Sequence, residues 1–148
     1  MKRKERQELP IDEVIDDIVR SLKNENNLVV IAPPGAGKTT RIGPALIRAG
    51  LVFRNMVMLQ PRRIAARAAA RRIAEEENWS VGQEVGYQVR FDKKLTKETK
   101  LQIVTEGILT KRIQQDPFIE EFDCVMLDEF HLRSIHGDLA LAFLKEIQ

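Results

Sequence analysis

The stretch LVVIAPPGAGKTT, residues 28–40, decides the fold. Its first five residues, 28–32, are a short continuous apolar run, the pattern of a strand buried on both faces of a parallel sheet. A Pro-Gly turn follows, and a helix is predicted from near Gly37 to about Arg48, with Gly50 just past its end. Between strand and helix, Gly35 and Gly37 let the backbone turn its N–H groups toward phosphate oxygens. The start of the helix adds its positive end. Pro34, Gly35, Ala36, Gly37, Lys38, Thr39 and Thr40 are the candidate nucleotide-binding residues. Lys38 can reach the β- and γ-phosphates, and Thr39 can offer a hydroxyl to Mg²⁺. The usual pattern opens with glycine where this chain has Ala32.

Strands and helices alternate on either side of this stretch. Upstream, Ile11, Val14, Ile15, Ile18, Val19 and Leu22 recur at helical spacing, with acids toward the start, where the dipole favours them. The Asn-rich residues 24–27 end that helix. Downstream, NMVMLQ (55–60), GYQVRF (86–91), LQIVT (101–105) and about 123–128 are predicted strands. IAARAAARRIAEEE (64–77), EGILTKRIQQD (106–116) and LALAFLKEI near the end are predicted helices, and DKKLTKETK (92–100) a loop or hairpin connection. The alternation predicts an α/β fold, a mostly parallel sheet flanked by helices.

The second chemical feature is CVMLDEFH, residues 124–131. Apolar residues run straight into Asp128 and Glu129, so both carboxylates fall at the carboxyl end of a buried strand, where ligands bind in open α/β sheets. Asp128 suits Mg²⁺, and Glu129 suits orienting and deprotonating a water. Phosphoryl transfer needs both, because it is catalysed mainly by positioning and charge neutralisation. His131 is ambiguous from the residues alone, and His136 has no supporting neighbours. Cys124, the single cysteine, reads as an inert core thiol and excludes an internal disulfide framework or a Cys-based zinc site.

Composition bounds the rest. The chain has 148 residues, the size of one domain, with 43% hydrophobic and 31% charged residues. No apolar run approaches the ~20 residues of a membrane span, and the expectation is a cytoplasmic protein. Net charge is only +2, but Arg62, Arg63, Arg67, Arg71 and Arg72 cluster in one segment. Arg62 and Arg63 follow a strand directly and can contact phosphates there. Arg67 and Arg71 share one helix face, which is either a further contact or a solvated face paired with residues 75–77. Trp79 and Tyr87 read as packing residues.

These motifs, taken in order, resemble the DEAH-box RNA helicases of superfamily 2 over about residues 9–148. APPGAGKT resembles motif I, QPRRIAARAAARRIAEE (60–76) motif Ia, TEGIL (105–109) motif Ib, and DEFH (128–131) motif II. GYQVRF is similar to the family's nucleic-acid-contacting turn. Phe130 stands where the family has alanine. DEFH followed by RS and DLAL is like the bacterial HrpB-like branch.

The resemblance implies a RecA-like domain that uses ATP or another NTP with Mg²⁺. Lys38, Asp128, Glu129 and His131 would be catalytic, with Thr39, Asp128 and Glu129 at the metal and Arg72 against the base. Arg62, Arg63, Arg90, Thr105 and Gly107 would contact the RNA backbone. Residues 1–8 are expected to be a flexible basic tail, and 9–148 a truncated first RecA-like domain lacking the motif III strand and the second RecA-like domain. In this fold the motif III strand lies between the strands of motifs I and II, so its loss would leave two apolar strand edges unpaired. The reading is an ATP-binding fragment of an RNA helicase. The alternative is a truncated nucleotide- or RNA-binding module without turnover.

Overall fold

The computed structural model describes residues 5–129. Phe130, His131, His136, the RS and DLAL segments and the helix expected near the end lie outside the described residues.

A 3₁₀ turn, Pro10–Val14, leads into helix α1, Ile15–Asn24. After the phosphate loop come α2 (Lys38–Arg48), strand β1 (Asn55–Gln60), α3 (Arg63–Glu77), β2 (Val85–Val89), β3 (Asp92–Lys94), β4 (Leu101–Thr105), α4 (Glu106–Gln115) and β5 (Phe122–Leu127). The strands form one sheet in the order β3-β2-β4-β1-β5. All neighbours are parallel except the β2–β3 hairpin. The hairpin resolves the expectation for 92–100. It also ends β2 at Val89, so Arg90 and Phe91 form its tip.

Alternation along β1 builds two cores. Met56 and Met58 face the cluster that holds Ile11, Ile18, Ile42, Ala66, Ala70 and Ile73. Val57 and Leu59 face the opposite cluster, with Val104, Leu109, Ile113 and Phe122. β1 is covered on both faces and paired on both edges, which is why its four central residues, 56–59, are all apolar.

One expectation fails. Residues 28–32 do not form a strand and lie outside the sheet. Val29 is 84% and Ile31 93% exposed. A strand exists only where a neighbour supplies the other half of its ladder, and an apolar pattern cannot supply that neighbour. Among the described residues β5 pairs only with β1, and nothing bridges β5 to residues 28–32.

Candidate nucleotide and nucleic-acid site

Because β2, β4, β1 and β5 run parallel, their carboxyl ends share one rim. Gln60 sits opposite Thr105, Leu59 opposite Leu127, and Gln88 opposite Val104. Along that rim, from β2 to β5, come Arg90, Thr105, the Arg62-Arg63 pair, and then Asp128 with Glu129. The phosphate loop is tied to this row at Asp128, through Thr39 at the start of α2.

The loop forms without the expected strand before it. Gly35 and Gly37 take φ values of 80° and 100°, which glycine adopts freely. A side chain at Gly37 would also strike Leu9, since an added Cβ would lie 2.8 Å from its Cδ1. The support comes from the N-terminal side. Ile11 N–H donates to Ala36 O at 2.9 Å, and Ala36 is buried. Behind the loop, Arg41 on α2 is 2% exposed and binds three partners: Asp12 (2.9 Å), Glu76 (2.8 Å) and the carbonyl of Gln7 (2.7 Å). Lys38 Nζ donates to Ala32 O at 2.8 Å, so the lysine lies along its own loop.

The two motif ends meet at Asp128. Thr39 Oγ1 donates to Asp128 Oδ2 at 2.5 Å, joining positions 89 residues apart. Gln60 Nε2 donates to the same oxygen. Asp128 is buried, and its own N–H donates to Leu59 O at 3.1 Å. Glu129 follows with a φ of 54°, a left-handed backbone that costs a non-glycine residue about 1–3 kcal/mol. A hollow of about 450 Å³ is lined by Thr39, Thr40, Gln60, Arg62, Arg72 and Glu129, with alanines of α3 as its floor. Arg72 is held by Glu76 at 2.6 Å, and this hydrogen bond raises its pKa above the usual value.

A second hollow of about 460 Å³, which shares Arg62 and Ala65 with the first, is lined by Arg62, Arg63, Ile64 and Ala65. Arg62 and Arg63 are exposed at the start of α3, where free N–H groups add to their charge. Arg90 is exposed and stacks over Phe91, 4.8 Å from the ring centre. Thr105 is the N-cap of α4, and Gly107 in its first turn has open space where a side chain would be.

Arg67 is ion-paired to Asp92 at 2.9 Å. Its helix face is therefore at least partly structural. Trp79 and Tyr87 pack in the core, and burial raises the Tyr87 pKa. Burial pushes the Cys124 thiol up to about 11, as expected of an inert thiol. Two residues escaped the sequence reading, Gln60 and Arg41. Gln60 had a faint signal, as a polar residue closing an apolar strand. His131 lies outside the described residues.

No group of three or more histidines, cysteines and acids that could hold a metal occurs among the described residues. The oxygens of Thr39, Asp128 and Glu129 are hard donors, the kind suited to Mg²⁺ that keeps waters and phosphate oxygens as its other ligands. They fit that ion.

A mostly parallel α/β sheet with a Gly-rich, lysine-bearing loop before α2 and a carboxylate pair at the end of β5 defines a P-loop domain. The DEAD/DEAH box helicase family matches residues 12–139, and the chain belongs to that family. It is 40% identical over 140 residues to the ATP-dependent RNA helicase HrpB of Escherichia coli, covering 95% of this chain and 17% of that protein. It is 37% identical over 140 residues to the ATP-dependent RNA helicase HrpA of Borreliella burgdorferi, covering 94% and 17%. The crystal structure of Escherichia coli DEAH/RHA helicase HrpB superposes with a TM-score of 0.89 at 40% identity, covering 95% of this chain and 18% of that one. The fold is accordingly that of a RecA-like domain fragment. The chain spans less than a fifth of the length of these relatives.

Proposed function

We propose that this chain is the ATP-binding part of an ATP-dependent RNA helicase, in which nucleotide hydrolysis at residues 32–40 and 128–129 is coupled to RNA on the neighbouring rim. The observation that carries the reading is the 2.5 Å contact of Thr39 Oγ1 with Asp128 Oδ2, which unites the loop with the acidic pair. Backbone N–H groups of Gly35 to Thr40 would take the phosphates, and Lys38 would exchange its loop carbonyl for a phosphate oxygen. Thr39, Asp128 and Glu129 would hold Mg²⁺, which neutralises phosphate charge when bound. Glu129 would also orient and deprotonate the attacking water. Arg72 would lie against the base, and His131, by the resemblance of DEFH to motif II, would help couple nucleotide state to the partner domain.

Arg62, Arg63, Arg90, Thr105 and Gly107 would grip the RNA backbone without reading bases. Their support is the single rim they share and its supply of arginine and helix-start N–H groups. Residues 9–148 would belong to the first of two RecA-like units, working against a second in the whole protein. The proposed setting is cytoplasmic. Among the described residues no helix is long and apolar enough to cross a membrane.

The test is ATP turnover with and without RNA. The reading expects RNA-stimulated turnover, weak in the isolated chain, that disappears in Lys38→Ala and Glu129→Gln. Saturable binding of nucleotide with no turnover under any RNA condition would favour a binding module.

A further inference from the structure

We propose that Gln60 is a positioning residue for the magnesium–nucleotide site: its amide fixes the rotation of the Asp128 carboxylate. The inference rests on the nucleotide reading above and adds to it a residue that acts through Asp128.

Gln60 ends β1 after four apolar residues that fill both cores, and it is only 3% exposed. A buried amide is costly unless its hydrogen bonds are made. Packing alone would be met by leucine or methionine, as it is at Leu59 and Met58 in the same strand. The partner that accounts for the amide is Asp128. A carboxylate only accepts, so the amide nitrogen is the atom that faces it.

Asp128 Oδ2 therefore receives two donors, Thr39 Oγ1 from the loop and Gln60 Nε2 from β1. The Asp128 backbone is fixed as well, through Leu59 O at 3.1 Å. Thr39 is itself a metal candidate. When its hydroxyl turns to an ion, Gln60 remains as the donor that keeps the carboxylate aimed. Gln60 also stands directly before Pro61 and Arg62. The rigid Pro61 links it to the arginine turn on the nucleic-acid rim. Partners of this kind orient metal ligands so that no rearrangement is needed at binding.

The experiment measures equilibrium binding of a fluorescent ADP analogue to this chain, across a Mg²⁺ titration and in EDTA. Gln60→Met keeps the volume and removes the donor. It should raise the Mg²⁺ needed for the half-maximal effect about tenfold and leave affinity in EDTA within about twofold. Gln60→Glu, which sets a carboxylate against Asp128, should do at least as much, and Gln60→Asn should fall between. Gln60→Asn carries the comparison if Gln60→Met does not fold, as judged by its thermal transition. An unchanged Mg²⁺ dependence in these variants overturns the proposal. So does an equal loss of affinity with and without Mg²⁺, which would mark a merely structural role. Lys38→Ala and Asp128→Asn separate the two readings. If these also leave binding unchanged, the nucleotide reading has failed, and Gln60's role fails with it.

Discussion

Residues 28–40 and 55–65 have the same design in sequence. Each is an apolar run, a turn and a helix start, and each carries candidate site residues at the turn. In the structure they differ sharply. β1 is almost wholly buried and paired on both edges, whereas Val29 and Ile31 stand exposed outside the sheet. The turn after β1 is positioned by its strand. The phosphate loop is positioned instead by what lies on its other side: Ile11 on Ala36, Leu9 against Gly37, and Arg41 joined to Asp12 and Glu76. An apolar run is thus a capacity for strand formation, realised only where a neighbouring strand completes the ladder.

The contrast yields a graded set of stability changes, each read from chemical denaturation with a check on the slope. The largest effect falls on the loop's buttress. Arg41→Met removes the buried cation that Asp12 and Glu76 share, leaving Glu76 only the exposed Arg72, and should cost about 3–5 kcal/mol. Next is β1 itself. Met58→Ala opens a cavity in a fully buried core position and should cost about 2–5 kcal/mol. At the bottom, Ile31→Ser should move stability by no more than about 0.5 kcal/mol, because the side chain is 93% exposed. If Ile31→Ser cost as much as Met58→Ala, residues 28–32 would be a paired strand in solution and the comparison would collapse.

The β5 edge allows a gentler test through Cys124. With its thiol raised from 9.0 to about 11, the folded chain carries about a hundredfold less thiolate at a given pH. Alkylation of Cys124 should be slow at pH 8 and keep accelerating beyond pH 9, where an ordinary thiol levels off. The linkage has a definite sign. The unfolded thiol ionises first, so this contribution to stability is intact below about pH 9 and is lost as pH rises toward 11. A labelling rate that levels near pH 9 would mean that the β5 edge is more open than the structure has it.

Much of this was legible in sequence because local chemistry carried it. Gly35, Gly37, Lys38 and Thr39 announce a phosphate loop by spacing, and the Asp128-Glu129 pair announces a strand end. The periods of 11–22 and 64–77 gave their helices to within a few residues. The sheet's order and parallel register were legible only as a class. Long-range partners were not legible at all. Nothing local in Arg41 says that it will bind Asp12 and Glu76, and nothing in Gln60 says that Asp128 lies across from it. The segment 28–32 failed for the same reason, since its structure depends on a neighbour elsewhere in the chain.

The central claim is that residues 32–40 and 128–129 form one nucleotide site. Its most direct test is equilibrium binding of ATP with Mg²⁺ to the unmodified chain and to Lys38→Ala. The account predicts weak but saturable, Mg²⁺-enhanced binding that falls about tenfold to a hundredfold when the lysine's contact with phosphate is removed. Equal binding by the two proteins, or binding indifferent to Mg²⁺, would contradict it.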